Sequence, residues 1–215
     1  SKSLHVFNGH ENIVWCVDIS PLQSNNSNDN KNNKMNNIGV VGGNGYTICS
    51  GSYDHTIRLW DIETTKQLNV FKEHTHYVNS VKYGSNELLN TILSGSSDKS
   101  VRLWDIRSDH QIQVFNGHKN VVQCVEYSPF VIKNNIDNSN VICSGSFDNT
   151  IRFWDIRSNK NELYVIKGDD EERGIVYLKF LQLKKNKNKR KINDDIVCGT
   201  NLCYSSSKGL IRIWG

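Results

Sequence analysis

Nothing in the 215-residue sequence approaches the roughly 20 consecutive apolar residues of a membrane helix. A charged segment followed by an apolar one, the leader of secreted proteins, is also missing. The expected compartment is therefore the cytosol, with the nucleus as the alternative, and no membrane partner is expected. Six cysteines are present without a single CxxC pair, so neither a dithiol redox site nor a zinc ribbon is indicated. His5, His55, His76 and His110 share no ligand spacing with cysteines or carboxylates, so no metal site and no cofactor are expected. The Gly-x-Ser-x-Gly elbow that exposes a hydrolase serine is absent too.

Positive charge is scarcer than the net +4 suggests. Lys184, Lys185, Lys187, Lys189, Arg190 and Lys191 sit together, and without those six the 26 cations fall to 20 against 22 acidic residues, a net of −2. A nucleic-acid surface spreads positive charge over a face, so nucleic acid is not an expected partner. One short basic cluster reads as a solvated insertion, its alternatives being a nuclear import signal or a contact for an acidic partner.

What is present is repetition. CSGSYDHTIRLWDI at residues 49–62 returns as LSGSSDKSVRLWDI at 93–106 and CSGSFDNTIRFWDI at 143–156, then degraded as YSSSKGLIRIWG at 204–215. Recurrence at a period of tens of residues determines architecture more firmly than local propensity does. The cysteines follow the same register. Cys16 and Cys124 lie six residues after a Gly-His histidine, and Cys49 and Cys143 lie five before the repeat aspartate. They are expected to be small, buried, reduced core residues.

The chain divides into approximate repeats at residues 9–71, 73–115, 117–166 and 167–215, the last degenerate. Residues 1–7, SKSLHVF, align with residues 65–71, TKQLNVF, and so correspond to a strand left over from a preceding repeat. With Ser1 first, no initiator Met, and an end at Trp214-Gly215 in mid-repeat, the sequence is expected to be a fragment or a short gene cut from a longer array. Short stretches rich in β-branched and aromatic residues, such as IVWCVDIS, YTICSGS and TIRLWDI, punctuated by Asp, Gly and Ser, predict antiparallel strands. Residues 22–44, 131–140 and 184–193 are expected to be insertions, the first of a composition too polar to bury anything. From aspartate to tryptophan is always six residues, whereas histidine to aspartate is 44, 24 and 30. The variation therefore falls between the first and second strands of each repeat, and crowds onto one rim of the assembly.

The pattern SGSxDxTIRxWD with a Gly-His dipeptide resembles the WD-repeat (WD40) family, strongly in three repeats and weakly in the fourth. The resemblance implies an all-β propeller with four recognisable blades, incomplete or paired with another copy. It also implies a hydrogen-bond network in each blade, which by position comprises His10, Ser50, Asp54 and Trp60, then His74, Ser94, Asp98 and Trp104, then His118, Ser144, Asp148 and Trp154. The chemistry stands without the family, because a buried carboxylate needs hydrogen bonds, an imidazole supplies one, and a buried indole N–H needs an acceptor. Ser, His and Asp are also the members of a hydrolase triad. Three equivalent nucleophiles in one small domain have no catalytic use, which leaves a hydrolase as a remote alternative. The fourth repeat has Lys208 at the aspartate position, Tyr204 at the serine position and Gly215 after the tryptophan, and is expected to be the least stable.

Carried over by position, the family's partner-binding residues are Ile13, Trp15, Tyr53, Tyr77, Asn79, Ser97, Val121, Gln123 and Phe147. Their aromatic content suits a protein or peptide contact. The expected function is a non-catalytic interaction scaffold. Trp-Asp-Ile-Arg at residues 104–107 and 154–157 is similar to the WDxR box of substrate receptors in cullin–RING ubiquitin ligases, which makes Arg107 and Arg157 candidate ligase-adaptor contacts and a substrate-receptor subunit the alternative function.

Overall fold

The computed structural model describes residues 4–20, 46–84, 88–129, 141–158, 162–169, 171–182 and 200–214. The insertions at 22–44, 131–140 and 184–193 lie outside the described residues. Four antiparallel sheets follow one another along the chain. Blade 1 contains β1 (Val14–Ile19), β2 (Thr47–Ser52), β3 (Ile57–Asp61) and β4 (Gln67–Phe71). Blade 2 contains β5 (Val78–Tyr83), β6 (Thr91–Ser96), β7 (Val101–Asp105) and β8 (His110–Phe115). Blade 3 contains β9 (Val122–Tyr127), β10 (Val141–Ser146), β11 (Thr150–Asp155) and β12 (Tyr164–Lys167). Blade 4 has three described strands, β13 (Ile175–Gln182), β14 (Thr200–Ser206) and β15 (Ile211–Trp214). Among the described residues there is no α-helix, and no helix is long and apolar enough to cross a membrane.

Each blade is an antiparallel meander of strands that follow one another along the chain. The turn between the second and third strands holds its residue after the aspartate at positive φ: His55 at 70°, Lys99 at 70° and Asn149 at 63°, with Gly209 at 82° in the matching place of blade 4. One left-handed residue reverses the chain while its N–H bonds back to the serine carbonyl, as in His55 to Ser52 at 3.2 Å.

Both faces of an interior blade are apolar, so the sheets stack. Cys49, Ile57, Leu59 and Phe71 of blade 1 pack on Val78, Val81, Tyr83, Ile92 and Trp104 of blade 2. Equivalent residues repeat that junction between blades 2 and 3 and between blades 3 and 4. A second-strand glycine lets the sheets close: a Cβ on Gly51 would come within 2.6 Å of Val78 Cγ1, one on Gly95 within 2.7 Å of Val122 Cγ1, and one on Gly145 within 2.7 Å of Ile175 Cγ2. The stack is an open arc, since the outward face of blade 1 exposes Val14, Val17 and Ile19 and that of blade 4 exposes Ile211 and Ile213.

Candidate functional site: the short-turn face

In each of the first three blades a relay of side chains crosses from the third strand to the segment before the first. In blade 2, Trp104 Nε1 donates to Ser94 Oγ at 2.8 Å, His74 Nε2 lies 2.8 Å from Ser94 Oγ, and His74 Nδ1 lies 2.7 Å from Asp98 Oδ2. Blade 3 repeats it through Trp154, Ser144, His118 and Asp148 at 3.0, 2.8 and 2.8 Å. Blade 1 repeats it through Trp60, Ser50, His10 and Asp54 at 2.8, 2.7 and 2.7 Å. Burial pushes the His74 pKa down against the pull of Asp98. A neutral ring with its proton on Nδ1 satisfies every partner: indole N–H to serine, serine O–H to Nε2, and Nδ1–H to carboxylate.

The aspartates are the hubs. Asp98 Oδ1 also accepts from Ser100 Oγ at 2.6 Å and Ser100 N at 3.0 Å, and Oδ2 from Thr75 N at 3.2 Å. Burial would raise its pKa, yet the hydrogen bonds from His74 and Ser100 hold the carboxyl far below the usual carboxylate range, as happens at Asp54 and Asp148. Arg102 Nη2 stands 3.8 Å from Asp98, and Nη1 reaches Gln111 at 2.5 Å. The hydroxyl two residues after the aspartate (Thr56, Ser100, Thr150) and the arginine four after it (Arg58, Arg102, Arg152) were missed by the sequence reading. Their signal was available, because both recur in register in all three repeats.

Geometrically the relay resembles a hydrolase triad, but the serine is sealed. Ser50 is 3% exposed, Ser94 and Ser144 are 0% exposed, and each Oγ is occupied by an indole N–H. A nucleophile needs access to an electrophile, and these three hydroxyls have none.

Blade 4 is held differently. Arg212, in register with Arg58, donates from Nε to Glu172 and from Nη2 to Asp169. Glu172 is fully buried, with Oε2 unpartnered among the described residues. This acidic pair was not legible in the sequence, because it lies on the connection before β13 and not at the repeat aspartate.

Above the relays lies the rim formed by the short turns. Backbone bonds tie the candidate contact residues into neighbouring pairs: Tyr53 N to Ile13 O at 3.0 Å, Ser97 N to Tyr77 O at 2.8 Å, and Phe147 N to Val121 O at 2.9 Å. The first strands are bulged, with Trp15, Asn79 and Gln123 skipped in the register. A bulge re-aims the extra side chain, and the three are used differently. Trp15 is 55% exposed and stacks on Tyr53, rings 5.4 Å and 21° apart. Asn79 is 7% exposed, its amide donating to Ser97 Oγ at 3.0 Å and Val122 O at 2.9 Å, so it links blades 2 and 3. Gln123 and Val121 are half-buried, and Phe147 and Ile13 are exposed.

Tyr53 continues the stack onto Tyr77 at 4.1 Å and 14°. His76 meets Tyr77 edge-on at 4.3 Å, and His55 stacks on His76 at 5.6 Å. Trp15, Tyr53, Tyr77, His76 and His55 thus form one aromatic ladder across blades 1 and 2. Neither histidine stands at a repeat position that marks a contact residue, and their proximity spans two blades; no cluster of three metal-ligating side chains occurs among the described residues.

Arg107 and Arg157 lie on the other rim, after the third strands. Both are exposed, each backbone N–H bonded to the preceding aspartate, Asp105 at 2.8 Å and Asp155 at 2.9 Å. Arg157 Nε also meets Asp155 at 3.4 Å.

Four blades stacked in an arc, the first three pinned by the same relay, define a WD-repeat β-propeller, here incomplete. The family model described as WD domain, G-beta repeat matches residues 1–61, 65–105 and 109–155, and the chain belongs to that family. No curated protein matches it.

Proposed function

We propose that the chain is a non-catalytic interaction scaffold that holds a protein or peptide partner on its short-turn face. The observation that carries this is the ladder of Trp15, Tyr53 and Tyr77, in which Trp15 and Tyr77 are exposed on either side of a half-buried Tyr53. Stacked rings present a large, rigid apolar surface with little side-chain entropy to lose, and exposed Trp and Tyr are the residue types that dominate binding energy. Ile13 and Phe147 extend the surface, with Val121, Gln123 and Ser97 as its rim. Asn79 contributes through the position of Ser97. The absence of chemistry is proposed on the sealed serines. A reducing compartment, cytosol or nucleus, is proposed on five unpaired thiols among the described residues, three of them buried.

The test is affinity capture from cell extract with mass spectrometry, comparing the native chain with a Trp15→Ala, Tyr53→Ala, Phe147→Ala variant of unchanged melting temperature. A partner set lost by the variant is the expected result. Full retention by the variant overturns the assignment of the face.

One observation favours the alternative reading, a ubiquitin-ligase substrate receptor with its adaptor contact on the opposite rim. Arg107 is exposed and its guanidinium has no partner among the described residues. A ligase-adaptor interaction unchanged by Arg107→Ala with Arg157→Ala rejects it.

A further inference from the structure

Ahead of the first strand in blades 1 to 3, one side chain accepts the backbone N–H of the residue that follows it. In blade 1, Asn12 Oδ1 accepts from Ile13 N at 2.8 Å, and in blade 3, Asn120 Oδ1 accepts from Val121 N at 2.8 Å. Blade 2 has His76 in that place, two residues after the relay histidine, and its Nδ1 accepts from Tyr77 N at 2.9 Å. All three N–H groups belong to residues of the short-turn face.

An amide oxygen accepts at any pH. An imidazole accepts only through a bare ring nitrogen, so with Nδ1 turned to the Tyr77 N–H the neutral ring carries its proton on Nε2. A second proton has to enter at Nδ1, which sets donor against donor. Imidazoles as a class take up that proton between about pH 5 and 8, and of the three clasps only that of blade 2 is open to it. What this clasp holds is a rung of the ladder. Tyr77 stacks on Tyr53 of blade 1 at 4.1 Å, and His76 meets Tyr77 edge-on at 4.3 Å.

The charged neighbours are already committed. The blade 1 turn against which His76 packs carries Tyr53, Asp54 and His55; Asp54 accepts from His10, Thr56 and Glu11 N and has Arg58 at 3.6 Å. The turn of its own blade, tied to it by Ser96 Oγ donating to His76 O at 3.2 Å, carries Asp98 and the exposed Lys99. Asp98 accepts from His74, Ser100 and Thr75 N, with Arg102 at 3.8 Å. On its own segment Lys72 and Glu73 are exposed and opposite in sign. His55 stacks on His76 at 5.6 Å and 18°, so a charge on either ring opposes one on the other.

We propose that His76 is a proton-sensitive clasp on the aromatic ladder. With the ring neutral it holds the Tyr77 backbone, and the stack of Tyr77 on Tyr53 is closed. A proton taken from solvent at Nδ1 leaves the Tyr77 N–H without its acceptor, and the stack opens. His76 is exposed, so solvent reaches it. The regulatory consequence is a contact face assembled at neutral pH and loosened in mild acid, and it rests on the reading of that face as the partner site. The opening of the ladder itself does not.

Proton–nitrogen correlation and nuclear Overhauser spectra of the chain, taken from about pH 8 to about pH 5, test the clasp. The expected result is loss of the ring-to-ring Overhauser contact between Tyr53 and Tyr77, with the Tyr77 amide moving to the position of an unbonded N–H. The Ile13 and Val121 amides, held by Asn12 and Asn120, stay where they are, as does the Trp104 indole N–H held by Ser94. His76→Asn installs the acceptor of blades 1 and 3 and keeps the stack closed throughout. His55→Asn, which matches Asn149 at the same left-handed position of blade 3, leaves the response in place. A stack that stays closed in acid, a His76→Asn chain that still opens, or a response abolished by His55→Asn overturns the proposal. So does a Trp104 indole that moves together with Tyr77, because the relay and not the clasp has then yielded. Affinity capture at about pH 7.5 and about pH 5.5 reads the consequence: the ratio of partner captured at the two values is several-fold in the native chain and level in His76→Asn. A level ratio in the native chain overturns the regulation, and an empty capture at both values overturns the contact face on which the regulation rests, while the spectra decide the clasp in either case.

Discussion

His74 Nδ1 stands 2.7 Å from Asp98 Oδ2, with the two side chains 1% and 6% exposed. Asp98→Ala removes the acceptor for His74, Ser100 and Thr75 together and leaves a buried imidazole N–H without a partner. The expected loss is about 2–4 kcal/mol of unfolding free energy, read from denaturant titration. An unchanged midpoint shows that the carboxylate does not hold the blade.

Stability falls with acid, in two stages. Burial lowers the folded pKa of His74 below its ordinary 6.5, so the folded state binds its proton later than the unfolded state does. That contribution is present above about 6.5 and is lost as pH falls below it. Asp54, Asp98 and Asp148 have folded values below the ordinary 3.8, so theirs is present above about 4 and is lost at lower pH. Melting temperatures from pH 8 down to pH 3 should decline from near 6.5 and drop steeply below 4. In Asp98→Asn the lower limb should shrink.

A Cβ added to Gly95 would come within 2.7 Å of Val122 Cγ1 and 2.9 Å of Val125 Cγ1, both on the neighbouring blade. Gly95→Ala should cost about 1–3 kcal/mol through overpacking at the joint between blades 2 and 3. Thermal melting measures it. A neutral substitution would mean that the sheets can separate freely.

Burial pushes the Cys49, Cys124 and Cys143 thiols up, which leaves almost no thiolate at neutral pH. Iodoacetamide at pH 8 should leave these three unlabelled in the folded protein and label them in denaturant, as read by peptide mass spectrometry. Fast labelling without denaturant would place them at the surface.

Trp104 is 1% exposed, whereas Trp214, its counterpart in blade 4, is 44% exposed. Trp104→Phe should cost about 2 kcal/mol, combining a lost donor to Ser94 with a small cavity. Trp214→Phe should change stability by less than about 0.5 kcal/mol. Equal effects would show that blade 4 is pinned like the others.

By itself the sequence determined the repeat, its register and the all-β class. Strand periodicity and turn residues are local properties, and the constant six residues from Asp54 to Trp60, Asp98 to Trp104 and Asp148 to Trp154 reflect one turn and one strand of constant length. Only the tertiary structure decided which equivalent positions do the same work. Trp15 and Asn79 share a register position and a bulge, yet Trp15 lies open on blade 1, stacked on Tyr53, while Asn79 is locked between blades 2 and 3, because its amide reaches both Ser97 Oγ and the Val122 carbonyl. The ladder from Trp15 to His55 likewise joins residues of two blades, a proximity no single repeat encodes. Glu172 beneath Arg212 depends on how the chain enters β13. Each of these is set by what stands next to a side chain in space, and spacing along the chain carries no record of that.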